Sequence, residues 1–234
     1  MEALASLTKE HQLISELIGA LQTYGTRLRS GASVDPADMP RFAEVFRELV
    51  DYRHHEKEEG ILLPLLARNG FAWNVGLLAE LRREHGHLGY LLDVLCQASI
   101  RDGASRHEER RQIAEAATAF VDFKRRHIQK ETNELFPAIY ARLSPAALEQ
   151  LALELRQFDE VTGLSTRSSR VWQVAEELVQ RYSVDSATVD VTHAPWAEVP
   201  PKPSDASAVG PHEAAARARR EVAQGGLTSF GRPR

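Results

Sequence analysis

Several things are scarce in this chain of 234 residues, and each scarcity excludes something. Cys96 is the single cysteine, so no disulfide forms within the chain, which fits a reducing compartment. No apolar run approaches the roughly 20 residues of a membrane span. The opening Met1-Glu2-Ala3-Leu4 has no basic stretch followed by an apolar run, so no secretory signal is read there. A formal net charge of -4 is too small to argue for nucleic acid or an anionic membrane. The basic cluster Arg217, Arg219 and Arg220 is flanked by glutamates and does not change that. Strict polar–apolar alternation is scarce before the last quarter, which argues against a sheet protein. There is no Gly-rich phosphate loop, Cys-x-x-Cys pair or nucleophile elbow. The expectation is a soluble, cytoplasmic protein with neither a membrane nor a nucleic-acid partner.

What the chain does have is helical periodicity. Leu4, Leu7, His11, Ile14, Leu17, Ile18 and Leu21 mark one face of a first helix, which Gly31 ends. A second helix is predicted from Pro36 to Arg68, with Asn69-Gly70 as its stop, and a third from Phe71 to Ile100. A fourth runs from Ser105 to Leu143, where Ser144-Pro145 caps a fifth reaching Phe158. Long helices joined by short turns pack antiparallel. The predicted fold class is all-α: an antiparallel up-down four-helix bundle over residues 1–160, with one or two additional C-terminal helices. An accessory helix falls in 161–184, on Val171, Val174 and Leu178. Residues 185–234 lose the periodicity and gain Pro, Ala, Ser and Gly, so an extended or disordered tail is expected, with a short helix allowed at Glu213–Gln224.

The informative feature is an internal repeat. His54-His55-Glu56-Lys57-Glu58-Glu59 leads to Leu63-Pro64, and His127-Ile128-Gln129-Lys130-Glu131 leads to Phe136-Pro137. In both, Glu follows His by four and Pro follows Glu by six. Lys9-Glu10-His11 is echoed by Arg83-Glu84-His85. His11 precedes His54 by 43 positions, and His85 precedes His127 by 42. The chain thus holds two helical hairpins of one design, each with a lone His and a His-x-x-x-Glu pair.

Residues i and i+4 lie nearly above one another on a helix, so each pair aims an imidazole and a carboxylate at one point. An antiparallel bundle of the two hairpins brings His11, His54, Glu58, His85, His127 and Glu131 to one level. A lone His on an apolar face is usually a core histidine, and a lone His-x-x-x-Glu is usually a surface pair. Burying four imidazoles and two carboxylates together without a cation is a different and costly matter. Imidazole with carboxylate and no thiolate suits iron best, then manganese or zinc. Two metal ions are expected, each on two histidines with the glutamates bridging.

His55 and Glu59 also stand four apart; aligning the two prolines favours His54 and Glu58. Glu84-x-x-His87 has ferritin-type spacing, but no second Glu-x-x-His accompanies it. His87 is therefore expected to face outward or to stand behind a ligand. Glu10 and Glu84 are candidates to accept hydrogen bonds from ligand histidines, although a solvated helix face is their ordinary fate. Pro64 and Pro137 each remove a backbone donor and should kink or loosen the helix one to two turns past the ligands.

With those motifs in place, residues 1–160 resemble the hemerythrin-like, HHE cation-binding family: His54–Glu59 with Leu63-Pro64 and His127–Glu131 with Leu135-Phe136-Pro137 resemble its second and fourth helices, Glu10-His11 and Glu84-His85 its first and third. The resemblance implies a non-haem di-iron centre on His11, His54, Glu58, His85, His127 and Glu131. It also implies a small diatomic or peroxide ligand, and roles in oxygen or nitric-oxide sensing, iron handling or stress response. Oxygen-carrying members supply two histidines four apart on the third helix, where this chain has Gly89, and an Asp five after the fourth-helix His, where it has Thr132. Both departures match a four-His, two-Glu branch and argue against reversible oxygen carriage. Three functions stay open: a sensing or binding protein, a peroxide-consuming or ferroxidase-like enzyme, and a structural metal site in an interaction module.

Overall fold

The computed structural model describes residues 3–98, 106–162 and 170–183. The expectations for the 185–234 tail, including a helix at Glu213–Gln224, fall outside these residues.

Among the described residues there are helices and no strands. Helix α1 is Ala5–Arg29. Helix α2 is one continuous rod: Asp38–Val45, a π-helical stretch Phe46–His54, His55–Lys57, a π turn Glu58–Leu62, and Leu63–Arg68. Helix α3 is Gly76–Ala98. Helix α4 runs through Arg106–Lys130, a π turn Glu131–Leu135, and Phe136–Arg142. Helices α5 (Pro145–Thr162) and α6 (Arg170–Arg181) follow. None is long and apolar enough to cross a membrane.

The stops work as their residues dictate. Gly31 (φ 77°) and Gly70 (φ 85°) take the left-handed conformation that ends α1 and α2. In each, paired back-bonds close the end: Ala32 N–H donates to Arg27 and Gly31 N–H to Leu28; Phe71 N–H donates to Leu66 and Gly70 N–H to Ala67. Ser144 Oγ accepts from Ala147 N–H at 3.2 Å, capping α5. Helix α3 begins at Gly76, later than the predicted Phe71. Phe71 is spent on the C-terminal bond to Leu66 and on an apolar cluster beneath the Arg142 guanidinium.

The prolines loosen their helices, but nearer the ligands than expected. A proline at position i cannot donate, and its ring crowds the carbonyl at i-4. The turn before each proline is widened to the i→i+5 pattern. Each widened turn starts on a repeat glutamate, Glu58 or Glu131.

Apolar side chains form two clusters. One holds Ile14, Val50, Leu88 and Val121; the other holds Leu7, Leu62, Leu81 and Leu135. On each of the four long helices a buried polar layer lies between these residues: His11, His54 to Glu58, His85, and Lys124 to Glu131. Helix α6 packs on α1 and on the first turns of α2, and α5 packs on the Glu58–Leu62 turn.

Candidate metal centre

All six residues singled out by the repeat are buried, and the bundle brings them together. His54 Nε2 lies 3.4 Å from Glu58 Oε1 and 3.2 Å from His11 Nε2. His11 Nε2 lies 3.2 Å from Glu131 Oε2. On the other side, His85 Nε2 lies 3.2 Å from Glu58 Oε2 and 3.7 Å from Glu131 Oε1, which is itself 3.2 Å from His127 Nε2. Each carboxylate therefore divides its oxygens, one toward the His11/His54 side and one toward the His85/His127 side.

The outer ring nitrogens are held in place. Nδ1–H of His54 donates to Glu10 Oε2 at 3.0 Å, and Nδ1–H of His127 donates to Glu84 Oε2 at 2.8 Å. His85 Nδ1–H donates to Glu59 Oε1 at 2.9 Å, and His11 Nδ1 is paired with the Thr132 hydroxyl at 3.4 Å. A proton on Nδ1 leaves a lone pair on Nε2, aimed inward. Glu10 and Glu84 thus occupy Nδ1 positions across the helix pair instead of lying on solvated faces.

That arrangement sets lone pairs against carboxylate oxygens. Both oxygens of Glu58, Oε2 of Glu131, and Nε2 of His85 and of His127 are buried with no hydrogen-bond partner. Orphaned acceptors converging on one volume are costly, and a cation is the group that satisfies them together. Among the described residues there are two such groupings, His11, His54, Glu58 and Glu131, and His55, Glu58, His85 and His127, each with one nitrogen or oxygen per residue within 4.8 Å of the others. The donor set fits a metal of imidazole and carboxylate preference.

The charges of the site tell the same story. Burial presses His54 well below the ordinary imidazole range. Burial presses His85 the same way, but the carboxylates of Glu131, Glu58 and Glu59 outweigh it and raise its pKa well above that range. Burial alone would raise Glu131, yet His127, His11 and His85 hold it well below the carboxylate range. Metal uptake at these imidazoles competes with protons.

The model of the hemerythrin HHE cation-binding domain matches residues 2–139. The chain belongs to that family. No curated protein matches the chain. As an HHE-domain protein it is a metal-binding helical bundle, and its own residues add to the motif.

His55, held in reserve by the sequence reading, is buried in the same layer: its ring stacks on His85 at 4.2 Å and 17°. Glu59 is half exposed and serves His85. His87 does not enter the layer; its ring lies 4.5 Å from Phe123. Four residues were not anticipated. Lys124 and Lys57 are both fully buried. Lys124 donates to His55 Nε2, and Asp51 Oδ1 lies 3.4 Å from His55 Nδ1. Lys57 joins Glu10 of α1 to Asp159 of α5. The signal was spacing: Lys124 stands three before His127, and Lys57 three after His54, on the inward faces.

Proposed function

We propose that this protein is a non-haem di-iron protein that reacts with or senses oxygen, nitric oxide or peroxide. In this reading His11 and His54 would hold one ion and His85 and His127 the other, with Glu58 and Glu131 each offering an oxygen to both sides. The observation that carries it is the division of the oxygens of both buried glutamates between two pairs of Nε2 atoms. Iron is favoured over manganese or zinc because the donors are imidazole and carboxylate with no thiolate.

A bound pair would supply Lewis acidity and reversible electron loss. The chain's own residues do the rest. Glu10, Glu84 and Glu59 fix three imidazole tautomers and ring orientations, and Thr132 holds the fourth. Phe136, stacked on His11 at 5.3 Å, and the two apolar clusters wall the layer from water. Gly89 leaves α3 with one inward imidazole, so fewer positions are filled by protein than in a site with five ligand histidines.

The test is metal analysis with an optical spectrum, followed by anaerobic reduction, brief exposure to oxygen, and deoxygenation. The reading expects two irons per chain and a spectrum that stays oxidised until reductant is added. A colourless protein holding one zinc would make the site structural. A reduced spectrum that returns on deoxygenation over many cycles would make it an oxygen carrier. Catalytic consumption of peroxide by the iron-loaded protein would make it an enzyme.

A further inference from the structure

His55 is dressed as a ligand and yet engaged elsewhere. Its Nδ1 has a carboxylate neighbour, Asp51 Oδ1 at 3.4 Å. Its ring lies parallel to that of His85, and it belongs to the grouping with Glu58, His85 and His127. Its Nε2, however, accepts from Lys124 Nζ at 3.0 Å. Among the described residues, none of the other four buried imidazoles has a lysine hydrogen-bonded to its Nε2. Lys124 is fully buried.

An imidazole nitrogen that is not protonated has one in-plane lone pair. That lone pair serves a lysine N–H or a metal, not both. We propose that Lys124 is a positioning residue that occupies the Nε2 lone pair of His55 and so keeps this fifth histidine off the His85/His127 side, leaving a coordination position for a small exogenous ligand. The inference rests on the two-metal reading above. It assigns openness of the site to a residue outside the ligand set. The donating N–H is available in either protonation state of the lysine, so the device does not depend on Lys124 titrating. If Lys124 is removed, His55 is free to turn its lone pair inward and fill the position itself.

The test uses the full-length, iron-loaded protein with azide as the probe, read by the change in its absorption spectrum. Wild type should hold two irons and bind azide. Lys124→Met is of similar bulk and removes the N–H donor. It should keep both irons and weaken azide binding by roughly tenfold or more, because a tethered imidazole competes as an intramolecular ligand. His55→Ala alone should keep both irons and bind azide as wild type does. Lys124→Met combined with His55→Ala should recover the wild-type affinity, since nothing remains to fill the position. Failure of the double variant to recover would overturn the proposal and make Lys124 a direct contact of the exogenous ligand. Loss of iron or of azide binding in His55→Ala would overturn it without recourse to the lysine variant, by making His55 a ligand in the native protein. Wild-type protein with two irons and no azide binding would overturn it as well. A wild type without an iron pair would instead sink the two-metal reading, and the proposal with it.

Discussion

Glu10 on α1 accepts from Nδ1 of His54 on α2 at 3.0 Å, and Glu84 on α3 repeats the contact on His127 of α4 at 2.8 Å. The internal repeat therefore extends past the six central residues to the groups behind them. Both glutamates directly precede a lone histidine of the repeat, so one helix turn supplies an imidazole to the layer and a carboxylate to the histidine of the partner helix. Glu10→Gln and Glu84→Gln should each lower metal affinity by roughly 10–100-fold, the usual effect of losing such a partner. Competition with a chelator measures it. Affinity within a factor of two of wild type in both variants would show that these carboxylates do not set the imidazoles.

Lys57 extends the Glu10 contact outward. It is fully buried between Glu10 and Asp159 of α5. Removing the lysine strands Glu10 in a site where burial already raises its pKa against the lowering pull of Lys57. Lys57→Met should lower unfolding stability by about 3–5 kcal/mol, the range for breaking a buried pair from one side. Glu10→Gln in the same chain should restore part of the loss, because the two residues share one interaction. Denaturant melts of the metal-free single and double variants decide it; simple addition of the two losses would count against the coupling.

The repeat was legible because it combines spacings fixed by helix geometry with two prolines. The helix ends were legible at Gly31, Gly70 and Ser144, where one residue type has one local job. Contacts between residues 43 or 44 positions apart, such as Glu10 with His54, were not, because a Glu on a helix reads as solvated until the partner helix is docked. The buried lysines ran against the strong tendency of Lys to stay exposed. The choice between His54 and His55 looked like a question of register, yet both are buried. His54 lies toward α1 and His55 toward α3, since neighbouring residues straddle the inward line of a helix and the π-helical stretch ending at His54 widens that face.

The groups that make up the centre, and their Nδ1 partners, all lie between Glu10 and Thr132. Among the described residues, Asp159 supplies an ion pair that reaches the layer from later in the chain. A protein lacking residues 185–234 should therefore load the same amount of metal as the full chain and show the same spectrum. Loss of metal from the shortened protein would show that the removed segment contributes to the site.

Helix α6 is held by a different kind of contact, and pH should release it from both sides. Asp38 is buried at the start of α2 and accepts from Tyr182 Oη at 2.7 Å and from Arg181 at 2.7 Å. Burial raises the Tyr182 phenol, and the Asp38 hydrogen bond and charge add to it, to about 12. Burial alone would raise Asp38, but Tyr182, Arg181 and Arg41 hold it below the ordinary carboxylate value. A raised phenol favours the folded state fully below its unfolded pKa of about 10, and that contribution is lost as pH rises through the folded value. A lowered carboxyl contributes above its unfolded pKa of about 3.9, and the contribution is lost as pH falls through its folded value. The docked helix should thus be most stable between these limits. Trp172, which is buried on α6, reports the release by fluorescence. Tyr182→Phe should abolish the alkaline component and cost about 1.5–3 kcal/mol near neutral pH, as expected for a hydrogen bond to a charged acceptor. An alkaline transition of Trp172 that persists unchanged in Tyr182→Phe would assign the titration to another group and refute this account of how α6 is held.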